Sequence, residues 1–175
     1  MLPGRVVRGK PNPLHWKFRE RLRRARRAAK LSASALSLSA GVGRSTVSMM
    51  ELGTRLPRLP MVERLADALH LSPAWLAFGL DVPYEPVDRV ELRSDGFAER
   101  AQHARTARRL TLREVARRLS SSASAVRTLE SGAMPTLDTL EALANMLRVS
   151  PAWLAFGIGP MELGPMKGPA QVLQL

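Results

Sequence analysis

The octapeptide SPAWLAFG stands at residues 72–79 and again at 150–157. Around it the chain is similar to itself. At an offset of 79 positions Phe18 falls on Phe97, Arg26 on Arg105, Leu31 on Leu110, Val47 on Val126, Glu51 on Glu130 and Gly53 on Gly132. One residue drops out near Leu56; beyond it, at an offset of 78, Leu65 falls on Leu143 and Ala66 on Ala144. A repeat of about 60 residues seen twice is too long for a solenoid unit and describes two copies of one small domain. A domain of that size is near the lower limit for folding alone. The expected organisation is an arm at 1–17, domains at 18–80 and 97–158, a linker at 81–96 and a tail at 159–175. The linker, DVPYEPVDRVELRSDG, holds five acids, two prolines and a glycine, the composition of a connecting segment.

Each copy reads as five helices. In the first, Phe18, Leu22, Ala25 and Ala29 recur at three- and four-residue steps over helix 1, roughly Phe18 to Ala29. Ser32 is placed to cap a short helix 2 carrying Ala35, Leu36 and Ala40. Gly41-Val42-Gly43 marks a tight turn. Helix 3 is expected from Arg44 to Leu52, with Val47 and Met50 inward and Gly53 as its stop. Helix 4 is expected from Pro60 to His70, with Val62, Leu65, Ala66 and Leu69 inward and Glu63 and Asp67 on the solvated side. Ser72 and Pro73 then open helix 5, Ser as cap and Pro where its missing N–H costs nothing. Trp75 and Trp153 are expected to pack in the two cores. The fold class expected is all-α: two tandem five-helix domains joined by a short, proline-containing acidic linker.

Charge narrows the partner. Lys+Arg 27 against Asp+Glu 15 leaves a formal +12, and residues 1–30 alone hold eleven basic residues against the single acid Glu20. Such a balance favours a polyanion, nucleic acid before an anionic membrane surface. There is no cysteine, which excludes disulfides, thiolate zinc sites and cysteine nucleophiles. No run of some 18 apolar residues spans a membrane, and the first residues have no apolar signal-peptide core. The histidines His15, His70 and His103 lie in separate contexts without ligand spacing, and no phosphate loop or nucleophile motif appears. No cofactor, metal or catalytic residue is therefore expected, and the chain does not read as an enzyme. Few aromatics remain for base stacking, so single-stranded RNA is a lesser alternative.

Helix 2, the turn and helix 3 make a helix-turn-helix, a geometry that lays its second helix in the major groove of DNA. In GRSTVSMMELG the outward residues are Arg44, Ser45, Ser48 and Met49, with Thr46 at the border. Arginine can take O6 and N7 of guanine together, serine and threonine suit several bases, and methionine can touch a thymine methyl. The second copy turns Ser122, Ala123, Ser124, Arg127 and Thr128 outward. The leading segment MLPGRVVRGKPNP carries Arg5, Arg8 and Lys10, suited to lie along a phosphate backbone or in a minor groove. Arg19, Arg23, Arg27 and Lys30 of helix 1 fall largely opposite its apolar face, either solvated or against phosphate.

Both copies resemble the lambda-repressor/Cro-type, or Xre-type, helix-turn-helix domain. The matching stretches are LSASALSLSAGVGRSTVSMMELGTRLP, MVERLADALHLSPAWLAFG and LTLREVARRLSSSASAVRTLESGAMPTLDTLEALANMLRVSPAWLAFG. The resemblance implies that Arg44, Ser45 and Thr46 face bases, with Ser48 and Met49 further along, and that Arg55 holds a phosphate. It implies internal bridges from Arg26 to Glu51 and from Arg105 to Glu130. Two departures stand out. The family often opens helix 2 with glutamine, where this chain has Ala33 and Leu112, and the second copy has Ala123 where the first has Arg44.

The function expected is a sequence-specific double-stranded DNA-binding regulator, a repressor, cytoplasmic and associated with a bacterial nucleoid, acting as a homodimer. The linker can stretch to ~50 Å, so one chain could also occupy two half-sites ~34 Å apart. The alternative is a protein-interaction or antitoxin-like adaptor in which the second domain serves for dimerisation or docking. The tail, ending AQVLQL, is a candidate contact for a protein partner.

Overall fold

The computed structural model describes residues 13–81 and 92–162, with side chains from Lys17 onward. The described residues divide into two compact units, 13–81 with Thr136–Asp138 and 92–135 with 139–162. The first comprises α1 (Pro13–Ala28), α2 (Ala33–Ser39), α3 (Thr46–Leu52), α4 (Leu59–Ala68) and α5 (Pro73–Phe78). The second opens with a 3-10 turn, Arg93–Gly96, followed by α6 (Phe97–Ala107), α7 (Leu112–Arg118), α8 (Ala123–Glu130), α9 (Leu137–Leu147) and α10 (Pro151–Phe156). No β-strand occurs among the described residues.

In the first unit Phe18, Leu22, Leu36, Val47, Met50, Leu65 and Leu76 are fully buried and form one core. The second repeats it with Phe97, Ala101, Val115, Val126, Leu143 and Leu154. Cores this small cannot carry loose helix ends, and the ends are tied individually. Ser32 accepts from the Ala35 N–H at 3.1 Å to open α2. Thr111 opens α7 more firmly: its hydroxyl accepts from Glu114 N while the Glu114 carboxylate accepts from Thr111 N at 2.7 Å, a reciprocal capping box. Those bonds favour the charged carboxylate and hold the Glu114 pKa below its ordinary value.

The repeated octapeptide closes each core. Ser72 and Ser150 cap α5 and α10, and Gly79 and Gly157 end them in the left-handed conformation, at φ 73° and 65°. Ala74, Leu76, Ala77 and Phe78 are buried, as are Ala152, Leu154, Ala155 and Phe156. That leaves the tryptophans no inward direction. Trp75 and Trp153 are half-buried rather than core residues. Trp75 walls an open groove with Lys17, Arg24 and Arg27, and the Trp153 ring lies 6.3 Å from that of His103.

An arginine of the first helix in each unit holds the octapeptide helix in place. Arg21 Nε donates to Leu76 O at 2.9 Å and Nη2 to Ala77 O at 2.5 Å. Arg100 repeats this on Leu154 O at 3.0 Å and Ala155 O at 2.8 Å. A cation on the last carbonyls of a helix satisfies acceptors that have no partner within it and complements its dipole.

Several helix ends differ from the sequence expectation. α1 stops at Ala28 and α4 at Ala68, earlier than Ala29 and His70, because Lys30 and His70 adopt left-handed conformations at φ 55° and 54°. Arg109 and Arg148 do the same in the second unit. Glu63, expected in solvent, is buried like Glu141 at the same place in the repeat.

Candidate nucleic-acid interface

α2, residues 40–45 and α3 form the helix-turn-helix of the first unit. The two helices are joined by a buried hydroxyl. Ser37 Oγ, with no exposure, donates to Ala33 O at 2.9 Å and accepts from Val47 N at 3.1 Å. Val47 lies in the first turn of α3, where backbone N–H groups have no partner within the helix. Ser45 precedes the helix but makes no side-chain capping bond. Ser37 therefore caps α3 from the neighbouring helix and fixes the angle between the two.

The second unit solves the same problem locally. Ala116 replaces Ser37, and Ser122 accepts from Ala125 N at 3.1 Å to cap α8 directly. α8 accordingly begins at Ala123, the counterpart of Arg44, whereas α3 begins at Thr46 and not at Arg44 as expected. Arg44 and Ser45 are exposed in the turn just ahead of α3.

Val47 and Met50 face inward, and Ser45, Met49 and Leu52 are exposed, with Ser48 half-buried among them. Positions 45, 48, 49 and 52 form one stripe of a helix at three- and four-residue steps. The Ser48 hydroxyl donates to Ser45 O at 2.8 Å, so outward it offers only its acceptor pairs. Thr46 departs from expectation. It is 1% exposed, and its Oγ1 accepts from Arg55 Nη1 at 3.3 Å. Thr46 is thus turned away from solvent, with the exposed Arg55 bonded to its hydroxyl.

On α8 the exposed stripe is Ser124, Arg127, Thr128 and Ser131. Thr128 Oγ1 donates to Ser124 O and Ser131 Oγ to Arg127 O, both at 2.9 Å. Ser122 is spent on its cap, paired with Ser124 Oγ at 2.9 Å. Arg127 supplies the long donor of this face.

Behind each recognition-type helix lies a nearly buried ion pair. Arg26 Nε and Nη2 reach the two carboxylate oxygens of Glu51 at 2.7 and 2.9 Å, and Arg26 Nη1 donates to Leu31 O at 2.9 Å. Arg105 makes the same bonds to Glu130, at 2.7 and 2.8 Å, and to Leu110 O. The hydrogen bonds to the carboxylates raise both guanidinium pKa values above their already high level. The pairs tie the first helix of each unit to the end of its third. Arg19 and Arg23 add to this in the first unit, donating to Leu52 O at 3.3 Å and Glu51 O at 3.1 Å. Of the four cations read as a solvated or phosphate-facing stripe, those two are turned towards α3, while Arg27 and Lys30 are exposed.

Sequence reasoning missed Leu52, which is 70% exposed, as well as Ser37, Arg21 and Arg100. The two arginines had a signal, since they coincide at the offset of 79. Arg5, Arg8 and Lys10 lie outside the described residues, as do most of the linker and of the tail. Among the described residues there is no cluster of His, Asp or Glu that could hold a metal, and no helix long and apolar enough to cross a membrane.

No solved structure matches the chain. The helix-turn-helix family model matches it twice, over residues 22–76 and 102–154, more than half of its length and once in each unit. With two such helix pairs, each backed by the same ion pair and closed by the same octapeptide, the chain belongs to the helix-turn-helix family of DNA-binding regulators, of the Xre or lambda-repressor-like type.

Proposed function

We propose that this protein is a sequence-specific regulator of transcription, a repressor, that reads the major groove of double-stranded DNA with α3 and with α8. The observation that carries this reading is the two-sidedness of α3: Val47 and Met50 are fully buried, while Ser45, Met49 and Leu52 stand in solvent on a helix held rigid by Ser37 and Glu51. A helix positioned so firmly, with one side left free, suits a groove that admits a helix of this diameter. Arg44, exposed ahead of α3, is the candidate for a guanine at the edge of the contact, and Arg55 for a phosphate. The excess of positive charge supports the electrostatic part of the affinity.

The experiment is a titration of the duplex upstream of the protein's own coding region against a scrambled duplex, over a range of salt. The reading expects a preference for the first and a log affinity that falls linearly with log salt on both. Arg44→Ala is expected to cost ~1–3 kcal/mol and to relax the preference at one base pair. Equal affinity for both duplexes at every salt concentration would reject sequence-specific reading.

A further inference from the structure

The two units share a scaffold and differ at the surface that would touch bases. Position for position, Val47 and Val126 are buried alike, the Arg26–Glu51 and Arg105–Glu130 pairs have the same geometry, and the closing octapeptide is identical. On the exposed stripe, only Ser45 and Ser124 agree. Arg44 stands against Ala123, Ser48 against Arg127, Met49 against Thr128 and Leu52 against Ser131. Each of those four pairs changes chemical class.

The two stripes ask for different base edges. α3 offers two apolar side chains one turn apart, Met49 at 37% and Leu52 at 70% exposure, flanked by serines. The apolar feature of the major groove is the C5-methyl group of thymine. α8 offers the Arg127 guanidinium, which makes no hydrogen bond or ion pair among the described residues, between hydroxyls that already donate to their own helix. A free guanidinium at the middle of such a stripe matches O6 and N7 of guanine. The Thr128 and Ser131 hydroxyls, left as acceptors, suit an amino group of cytosine or adenine.

Resting on the DNA-reading role above, we propose that the two units of one chain read unlike half-sites, one rich in thymine opposite Met49 and Leu52, the other centred on guanine opposite Arg127. The full recognition sequence of a chain is then asymmetric, neither a palindrome nor a simple repeat. The duplication supplies two readers of different sequence in a single polypeptide.

The test is selection of duplexes from a random pool by the full chain, followed by base-analogue titrations. Selected duplexes are expected to hold two different half-sites in fixed order. Replacing thymine by uracil in the first half-site removes only a methyl group and is expected to weaken binding about fourfold per contacted methyl. Replacing guanine by 7-deazaguanine in the second removes N7 and is expected to weaken it about tenfold. Leu52→Ser removes its own share of the uracil effect, and with Met49→Thr all of it, leaving the deazaguanine effect; Arg127→Ala does the reverse. A chain carrying Arg44→Ala, Ser48→Arg, Met49→Thr and Leu52→Ser together, checked for unchanged helicity and melting, is expected to select two like half-sites. Two copies of one half-site from the wild-type chain, or no loss with uracil, would overturn the inference while leaving DNA reading intact. A pool with no enriched sequence would overturn both.

Discussion

Ser37→Ala is the change that most directly probes how α3 is held. The hydroxyl is fully buried and is the partner of the Val47 N–H, which lies too early in α3 to find a carbonyl within it. Alanine fits the space but leaves that N–H buried and unpaired, a cost of about 1–3 kcal/mol. The loss of the Ser37 bond to Ala33 O adds little, since that carbonyl lies within a helix. For a unit of this size about 2 kcal/mol lowers the melting temperature by roughly 10 °C. The second unit carries alanine at the same place without penalty, because Val126 N bonds to Ser122 O and Ser122 caps the helix. That contrast supplies a rescue. Gly43 occupies the position of Ser122, and a Cβ there would meet Thr46 Oγ1 at 3.4 Å, an ordinary contact. Gly43→Ser in the Ser37→Ala background is therefore expected to recover about 1 kcal/mol through a local cap. Urea unfolding followed by circular dichroism measures both steps. A Ser37→Ala loss below about 0.5 kcal/mol, or a Gly43→Ser gain as large in wild type as in the Ser37→Ala background, would refute the remote-cap argument.

Other consequences follow from the same contacts. Glu51→Gln breaks a nearly buried bidentate pair and leaves the Arg26 charge behind, so unit one is expected to lose about 3 kcal/mol in denaturant unfolding; the double change Arg26→Met with Glu51→Leu is expected to recover much of it. His70→Gly relieves a left-handed non-glycine residue and is expected to stabilise by about 0.5–1 kcal/mol after the cost of a more flexible unfolded chain, readable as a higher melting temperature. Glu114 has a folded pKa below its unfolded one, so its contribution is present above the ordinary glutamate range and is lost as pH falls through the folded value. Acid titration of stability is thus expected to be shallower in Glu114→Gln, and a superimposable pH profile would contradict the capping box.

Much of this architecture was legible in the residues, and the exceptions have physical causes. Helix faces came from apolar spacing because Phe18, Leu22, Val47 and Met50 have nowhere else to go. The stop at Gly53 was visible because glycine adopts φ 77° without strain. The stops at Lys30 and His70 were not, since those residues take a left-handed conformation that nothing in their chemistry announces. The burial of Thr46, at the border of the outward face by spacing, involves Arg55 folding back from beyond the helix, a contact that periodicity does not encode. The tryptophans were misassigned by size alone; the alanines beside them fill the inner face. For Arg21 and Arg100, the repeat carried the signal, but their role becomes apparent only once the carbonyls of α5 and α10 are in place.

The central claim is that the exposed sides of α3 and α8 enter DNA. Backbone amide hydrogen exchange, measured on the full chain with and without a duplex it selects, tests it directly. Slowed exchange is expected in α3 and α8 and in the turns before them, residues 43–52 and 122–131, together with the segment around Arg55. Protection confined to other surfaces of a chain that still binds the duplex would contradict it.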